Sequence, residues 1–279
     1  LGRAASAITM RQPMIHPTAV IHPGARLGPG TVVGPFAVID AGVQLGDRCQ
    51  VGPHVHLTGD TLAGNHNHFH AGCVIGDAPQ DLKYAGDRTR LRIGNDNVFR
   101  EHVTVHRSNK AAEDTVIGNG NLLMAGCHVG HNCAIGDHTI VANGALLAGH
   151  VTVADRAFIS GHCAVHQFCR VGRLALMQGG SRISKDLPPF CIARGDNRIS
   201  GLNSVGLRRA GIAGHDRLAL RRAYHRLFRR SDRLAAAIAA VRADSGEHLL
   251  VRELLAFVES SRRGVCADTG GVTEDSDGH

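Results

Sequence analysis

Between Ile117 and Pro188 the chain reads IGNGNL, LMAGCH, VGHNCA, IGDHTI, VANGAL, LAGHVT, VADRAF, ISGHCA, VHQFCR, VGRLAL, MQGGSR, ISKDLP. The first residue of every six, from Ile117 through Leu123 and Val129 to Ile183, is Ile, Leu, Val or Met, and the fifth is usually small. A six-residue period of this kind is the signature of a parallel β-helix, in which three sixes make one triangular coil of about 18 residues and coils stack at about the 4.8 Å strand spacing. The first and fifth positions then point inward.

The same period begins at Ile15 and runs as IHPTAV, IHPGAR, LGPGTV, VGPFAV and onward to Ile75. Two segments break it: GDAPQDLKYAGDRTRLR over 76–92 and RSNKAAEDTV over 107–116. Both are polar, and insertions in a solenoid are extruded as loops on one face, commonly the binding face. The period therefore predicts a β-helix over 14–188 carrying two extruded loops.

Composition agrees with a narrow interior. Apolar residues make up 43% of the chain but aromatics only 4%, with no Trp, while 35 of the 279 residues are Gly. Such a core is filled by aliphatic side chains and Cys rather than by rings. Six of the eight cysteines, Cys49, Cys73, Cys127, Cys133, Cys163 and Cys169, fall on the fifth position of a six and are expected to pack inward. No CxxC pair suggests zinc or thiol exchange, and only Cys191 and Cys266 lie outside the register.

After Pro188 and Pro189 the sixes stop. An irregular linker is expected over 189–198, then a small C-terminal α-helical domain over 199–262. Apolar spacing marks it at Leu220, Ala223, Tyr224, Leu227 and Phe228, again at Leu234, Ile238 and Val241 after a Ser231 cap, and again at Leu250, Leu254, Phe257 and Val258. Residues 1–13, with Met14 an alternative start, are expected to be a disordered extension, and 263–279, rich in Gly, Asp and Ser, a disordered tail. No stretch approaches 18 consecutive apolar residues, and the first thirteen are too weakly apolar for a secretory segment, so a cytoplasmic location is expected.

The net charge of +7 is unevenly placed: eight arginines between Leu207 and Arg230 face the single acid Asp216. This run is read either as a solvated helix face or as a docking surface for an acidic or phosphate-bearing partner. No nucleic-acid motif accompanies it.

None of the fifteen histidines in the repeats occupies a first or fifth position, so all are expected at the surface or at an interface. Coil arithmetic stacks Asn132 beneath His150 and His131 beneath Gly149 and Gln167, gathering His128, His131, His150 and His166 along one side. By itself this cluster could be a zinc site or a general base in a cleft.

A resemblance narrows the choice. The runs NLLMAGCHVGHNC at 121–133, LAGHVTV at 147–153, AVHQFCRVG at 164–172, DLPPF at 186–190, QDLKYAGD at 80–87 and VTVHR at 103–107 together resemble bacterial UDP-N-acetylglucosamine O-acyltransferases, over about 14–262. The resemblance implies a left-handed β-helix, a homotrimer with sites between subunits, and the first acylation of lipid A synthesis. In that reaction a 3-hydroxyacyl group passes from acyl carrier protein to the sugar 3-hydroxyl, with no metal or cofactor. It implies His131 as general base and the Gly149 N–H as oxyanion donor. Asp81, Lys83, His128 and His150 are implied near the sugar and acyl groups, His166, Gln167, Asn203 and Arg209 at the nucleotide, and Gly179 as the acyl-length ruler.

One residue departs from the family pattern. Members commonly carry Asp after the catalytic His, and here it is Asn132; the change is harmless if a main-chain carbonyl orients the ring and weakens the base otherwise, and activity is expected to survive. Three rival readings stand beside this one. A later N-acyltransferase of the same pathway carries a globular domain before its repeats, which the start of the sixes at Ile15 disfavours. A carbonic anhydrase of β-helix type would need two histidines five residues apart, a spacing this sequence lacks. A non-catalytic binding scaffold is the third.

Overall fold

The computed structural model describes residues 13–229 and 233–268. Among the described residues the repeats form a left-handed parallel β-helix whose three faces belong to sheets of twelve, nine and eight strands, parallel throughout the repeats. Most strands are two residues long, and each pairs with its equivalent one coil further on: Val129 with Leu147, Leu147 with Val165, Val165 with Ile183. That 18-residue step is the coil expected from the sixes.

The step lengthens at two places. Phe69 pairs with Phe99, a step of 30, and Phe99 with Leu123, a step of 24, so 12 and then 6 residues are extruded. The flanking strands Val74–Asp77, Arg90–Ile93 and Asp114–Ile117 take residues from the expected loops, and Thr104–His106 ends just before the second, leaving 78–89 and 107–113 outside the strands.

First and fifth positions fill the interior. Val129, Leu147, Ile159 and all six in-register cysteines are fully buried. Burial pushes these thiols above their ordinary range, at Cys169 even against the nearby Arg263, so they serve as small apolar side chains. Ile15 is 49% exposed although it holds a first position, because no coil among the described residues lies beneath it. Some fifth positions are polar and form an internal ladder: Asn97 Nδ2 donates to Asn67 Oδ1 at 2.9 Å, and Thr139 Oγ1 to Asn121 Oδ1 at 2.8 Å.

The fourth position has a role that the apolar pattern does not reveal. From Gly120 to Gly180 every fourth residue, including Asn132, His138, His150, Arg156, His162, Phe168 and Leu174, has φ between 54° and 72°. The corner demands left-handed backbone, which Gly adopts freely and Asn, Asp and His better than most residues. Several histidines read as surface residues are thus corner residues.

Among the described residues the C-terminal part holds four helices: α1 (Ser204–Arg209), α2 (Gly214–Phe228), α3 (Leu234–Ser245) and α4 (Leu249–Glu259). Leu220, Ala223, Leu227, Val241, Leu254 and Val258 make their shared core, as their spacing predicted. Arg173 grips Glu253 through two bonds of 2.9 and 2.6 Å, tying α4 to the last coils. The Ser231 cap lies outside the described residues.

Two expectations need correction. Within 189–198, read as a linker, Cys191–Ala193 is a strand that continues the twelve-stranded sheet beside Leu176–Met177 and then pairs antiparallel with Arg198–Leu202. The tail expected from 263 is ordered as far as Asp268. Ala267–Asp268 pairs with Arg198–Ile199, and the buried Asp268 carboxylate accepts from Tyr224 Oη at 2.6 Å and Arg229 Nε at 2.8 Å. Composition suggested disorder there, but one anchored carboxylate and the buried Cys266 hold the strand in place. Residues 1–12 and 269–279 lie outside the described residues.

Candidate active site

His131 and Asn132 occupy the third and fourth positions of one six, at the corner following the strand His128–Val129. The left-handed φ of Asn132, 58°, turns its carboxamide back toward the preceding imidazole, and Oδ1 lies 2.9 Å from His131 Nδ1. The same oxygen accepts from the Asn109 N–H at 3.0 Å. Nδ2 donates to Ser108 Oγ at 2.7 Å and to Glu113 Oε2 at 2.9 Å. Since Asn109 N–H can only donate and a carboxylate only accept, the carboxamide orientation is fixed. Its oxygen then requires a proton on His131 Nδ1, which leaves the Nε2 lone pair free.

Nε2 faces the next coil. A methyl group built on Gly149 would sit 2.6 Å from both Cε1 and Nε2, so the imidazole lies directly against this glycine. Gly149 O accepts from Phe168 N–H and the His150 N–H donates to His131 O, but among the described residues the Gly149 N–H makes no hydrogen bond. A proton acceptor and an unpaired amide donor thus stand side by side.

Other expected residues surround this pair. The His150 ring meets His131 edge-on at 5.2 Å and stacks on Phe168 at 4.6 Å; burial, then His131, lower its pKa. His128 takes a 2.7 Å hydrogen bond with Thr104 Oγ1, and burial, with His106 and His131 adding repulsion, pushes its pKa down to about 4. It is therefore neutral near pH 7. His106, expected at the surface, is only 7% exposed, packed edge-on against His128 at 4.8 Å. The strand carrying it runs one residue past the usual two, pairing His106 with Asp77 of the neighbouring strand. Asp81, in the first loop, accepts from Lys83 N–H at 3.0 Å and Asn109 Nδ2 at 2.6 Å, and these bonds hold its carboxyl below the ordinary range. Its field reaches His131, while the Lys83 side chain is exposed.

Among the described residues the remaining expected residues make no side-chain hydrogen bond or ring contact with this group, although the Phe168 N–H bond to Gly149 O puts Gln167 one coil above Gly149. His166 and Gln167 are exposed, and His166 contacts Arg263 at 3.3 Å rather than the other three histidines. Asn203 caps α1, accepting from Gly206 N–H and donating to Leu174 O, both at 2.9 Å, so its carboxamide is occupied. Arg209 is exposed in the last turn of α1. Gly179 is exposed, and a methyl group there would meet only Gly161 O at 3.6 Å. Of the basic run, Arg217 and Arg229 are tied to Ile212 O and Asp268, and Arg230 lies outside the described residues.

Sequence reasoning passed over Asn109, Ser108, Glu113 and Phe168. Phe168 was findable, since it stacks one coil above His150 at the same fourth position. The other three sit in the second extruded loop, where no period assigns a direction to any side chain. They are what fixes Asn132, so the orientation of His131 comes through a side chain and not through the main-chain carbonyl considered from sequence.

Among the described residues, no three His, Cys, Asp or Glu side chains converge as metal ligands, and no helix is long and apolar enough to cross a membrane. Residues 186–266 match the family described as Udp N-acetylglucosamine O-acyltransferase, domain 2, and residues 25–59 and 114–149 match the bacterial transferase hexapeptide family. An acyl-[acyl-carrier-protein]--UDP-N-acetylglucosamine O-acyltransferase of Synechocystis sp. is 45% identical over 79% of this chain and 80% of its own length. One of the same name from Syntrophobacter fumaroxidans is 39% identical over 90% of this chain and 98% of its own. The UDP-N-acetylglucosamine acyltransferase of Bacteroides fragilis superposes with a TM-score of 0.86 at 37% identity, covering 90% of this chain and 99% of the other. That of Francisella novicida gives 0.88 at 33% identity, covering 92% and 95%. With relatives of this identity aligned over nearly their whole length, and with the β-helix and its helical end both matched, the chain belongs to the UDP-N-acetylglucosamine O-acyltransferase family.

Proposed function

We propose that this protein transfers a 3-hydroxyacyl group from acyl carrier protein to the 3-hydroxyl of UDP-N-acetylglucosamine, the first step of lipid A synthesis, with His131 as general base. The observation that carries the reading is the bare Nε2 of His131 beside the unpaired N–H of Gly149. Nε2 removes the hydroxyl proton as the sugar oxygen attacks the thioester carbonyl carbon. The Gly149 N–H receives the developing oxyanion. As the tetrahedral species collapses, the carbon–sulfur bond breaks and the proton passes from His131 to the departing thiolate, so the base is regenerated and charge balances.

Asp81, Lys83, His128 and His150 line the sugar and acyl side of this centre, and a neutral His128 can accept or donate a hydrogen bond without repelling a second cation. His166, Gln167, Asn203 and Arg209 serve the nucleotide. That none of the four side chains bonds to His131 within one chain supports a site completed by a neighbouring subunit of a homotrimer, working in the cytoplasm. Gly179 leaves room for a longer acyl chain than a bulky residue would. The decisive experiment is an acyl-transfer assay with UDP-N-acetylglucosamine and a series of 3-hydroxyacyl carrier proteins. His131→Ala is expected to lower kcat at least about 100-fold with Tm unchanged. Near-normal transfer by that variant, or no transfer by the natural protein with any chain length, would overturn the reading.

A further inference from the structure

Resting on the reading of His131 as the base, we propose that Glu113 is a positioning residue that supplies, through the Asn132 carboxamide, the negative charge that a carboxylate beside the imidazole would supply directly. Three links make the path: Glu113 Oε2 accepts from Asn132 Nδ2 at 2.9 Å, the carboxamide conducts the polarisation, and Oδ1 meets His131 Nδ1 at 2.9 Å.

The carboxamide is saturated. Its oxygen takes two protons, from Asn109 N–H and His131 Nδ1, and its nitrogen gives two, to Ser108 and Glu113. A flip would break all four bonds, so the dipole is locked with its negative end on the imidazole. When Nε2 takes the substrate proton, the charge on the ring is felt at Nδ1–H, and Glu113 draws Nδ2–H away to make Oδ1 a stronger acceptor. An amide alone is neutral, and Glu113 restores a negative charge to the line.

Glu113 has the company needed to stay ionised there. Lys110 Nζ binds the other oxygen, Oε1, at 2.9 Å and holds the carboxyl below its ordinary range, leaving Oε2 for Asn132. His150 Nδ1 stands 3.9 Å from Oε2. The other groups acting electrostatically on His131 are Asp81, His106, His128 and His150. Asp81 is the second anion among them, but its carboxylate is engaged by Asn109 and Lys83 N–H and makes no bond to the imidazole.

The arrangement also makes Asn132 and Glu113 a matched pair. Aspartate at 132 would bring two carboxylates to 2.9 Å, where both cannot remain ionised at ordinary cost. A glutamine at 113 would remove the clash, because its NH2 group can donate to that aspartate. The pairing should therefore be reversible, with charge at either end but not at both or neither.

The test is a cycle of four proteins: natural, Glu113→Gln, Asn132→Asp and the double variant, each checked for unchanged Tm. Glu113→Gln is expected to lower kcat about 10-fold, the low end for a group acting on a histidine through another because Glu113 is solvent-exposed, with KM for the nucleotide sugar unchanged. Asn132→Asp alone is expected to fall by a similar factor, and the double variant to recover to within about three-fold of the natural protein. A natural kcat in Glu113→Gln, or a double variant no better than Glu113→Gln, would overturn the proposal. His131→Ala in the same assay separates the two levels: if it is inactive while Glu113→Gln is normal, only the role of Glu113 fails, and if it is active the base assignment fails with it.

Discussion

Gly149→Ala tests the geometry of the site most directly. The added methyl carbon would lie 2.6 Å from Cε1 and Nε2 of His131, about 1 Å inside ordinary contact. Gly149 is outside the left-handed region, so alanine suits its backbone, and the strain falls on the imidazole alone. That ring is held at Nδ1 by Asn132 and can make way only by giving up the bond. The lost hydrogen bond costs about 1 kcal/mol, while removing a glycine from the unfolded chain returns about 0.4–1 kcal/mol, so Tm should barely move. A displacement of about 1 Å at the reacting atom costs on the order of 100-fold in rate. The assay is kcat at saturating substrates, with calorimetric Tm alongside. Gly161→Ala is the control: it holds the same third position two sixes later, but a methyl there meets only Asn143 O at 3.4 Å, and its kcat should be unchanged. If Gly149→Ala keeps kcat within about three-fold of the natural protein, then Nε2 is not the working atom in the position described.

Two predictions concern stability. The pKa of His128 falls on folding from 6.5 to about 4, so between those values the unfolded chain binds a proton that the folded chain refuses. Stability from this group is complete above about pH 6.5 and declines as pH falls toward 4, by up to about 3 kcal/mol. Tm measured from pH 7 to pH 4 should drop, and His128→Gln should flatten the curve; an unchanged slope would mean His128 is solvated. Asn97, fully buried, bridges Asn67, Gly118 O and the Asn121 N–H. Asn97→Ala should cost about 2–4 kcal/mol in denaturant unfolding by orphaning these groups, and a loss below about 1 kcal/mol would show that water replaces them.

Legibility followed the period. Where the six-residue rule ran, it put first- and fifth-position residues inside and His131 against Gly149 one coil above, but it also grouped His166 with His128, His131 and His150, and in the structure His166 meets Arg263 instead. It succeeded because in a solenoid the neighbour of residue i is residue i + 18, so tertiary contact reduces to counting. The same rule missed the left-handed corner, although Gly, Asn and His recur at the fourth position, because apolar pattern was followed and backbone conformation was not. It also misjudged His106, which is buried where its strand runs one residue past the usual two and its ring packs on His128.

The amino-acid sequence by itself determined the β-helix, the inward cysteines, the points of extrusion, the helical end and the family, because each rests on local periodicity or on runs of matched residues. Only the tertiary structure decided how His131 is held and where the chain's last described strand docks. The first depends on Asn109, Ser108 and Glu113, 19 to 24 residues from Asn132 in a loop without a period. The second depends on Asp268 reaching Tyr224 and Arg229, 44 and 39 residues away. Hydrogen bonds of that kind are set by the direction and reach of single side chains in a finished fold, and a repeat carries no record of them.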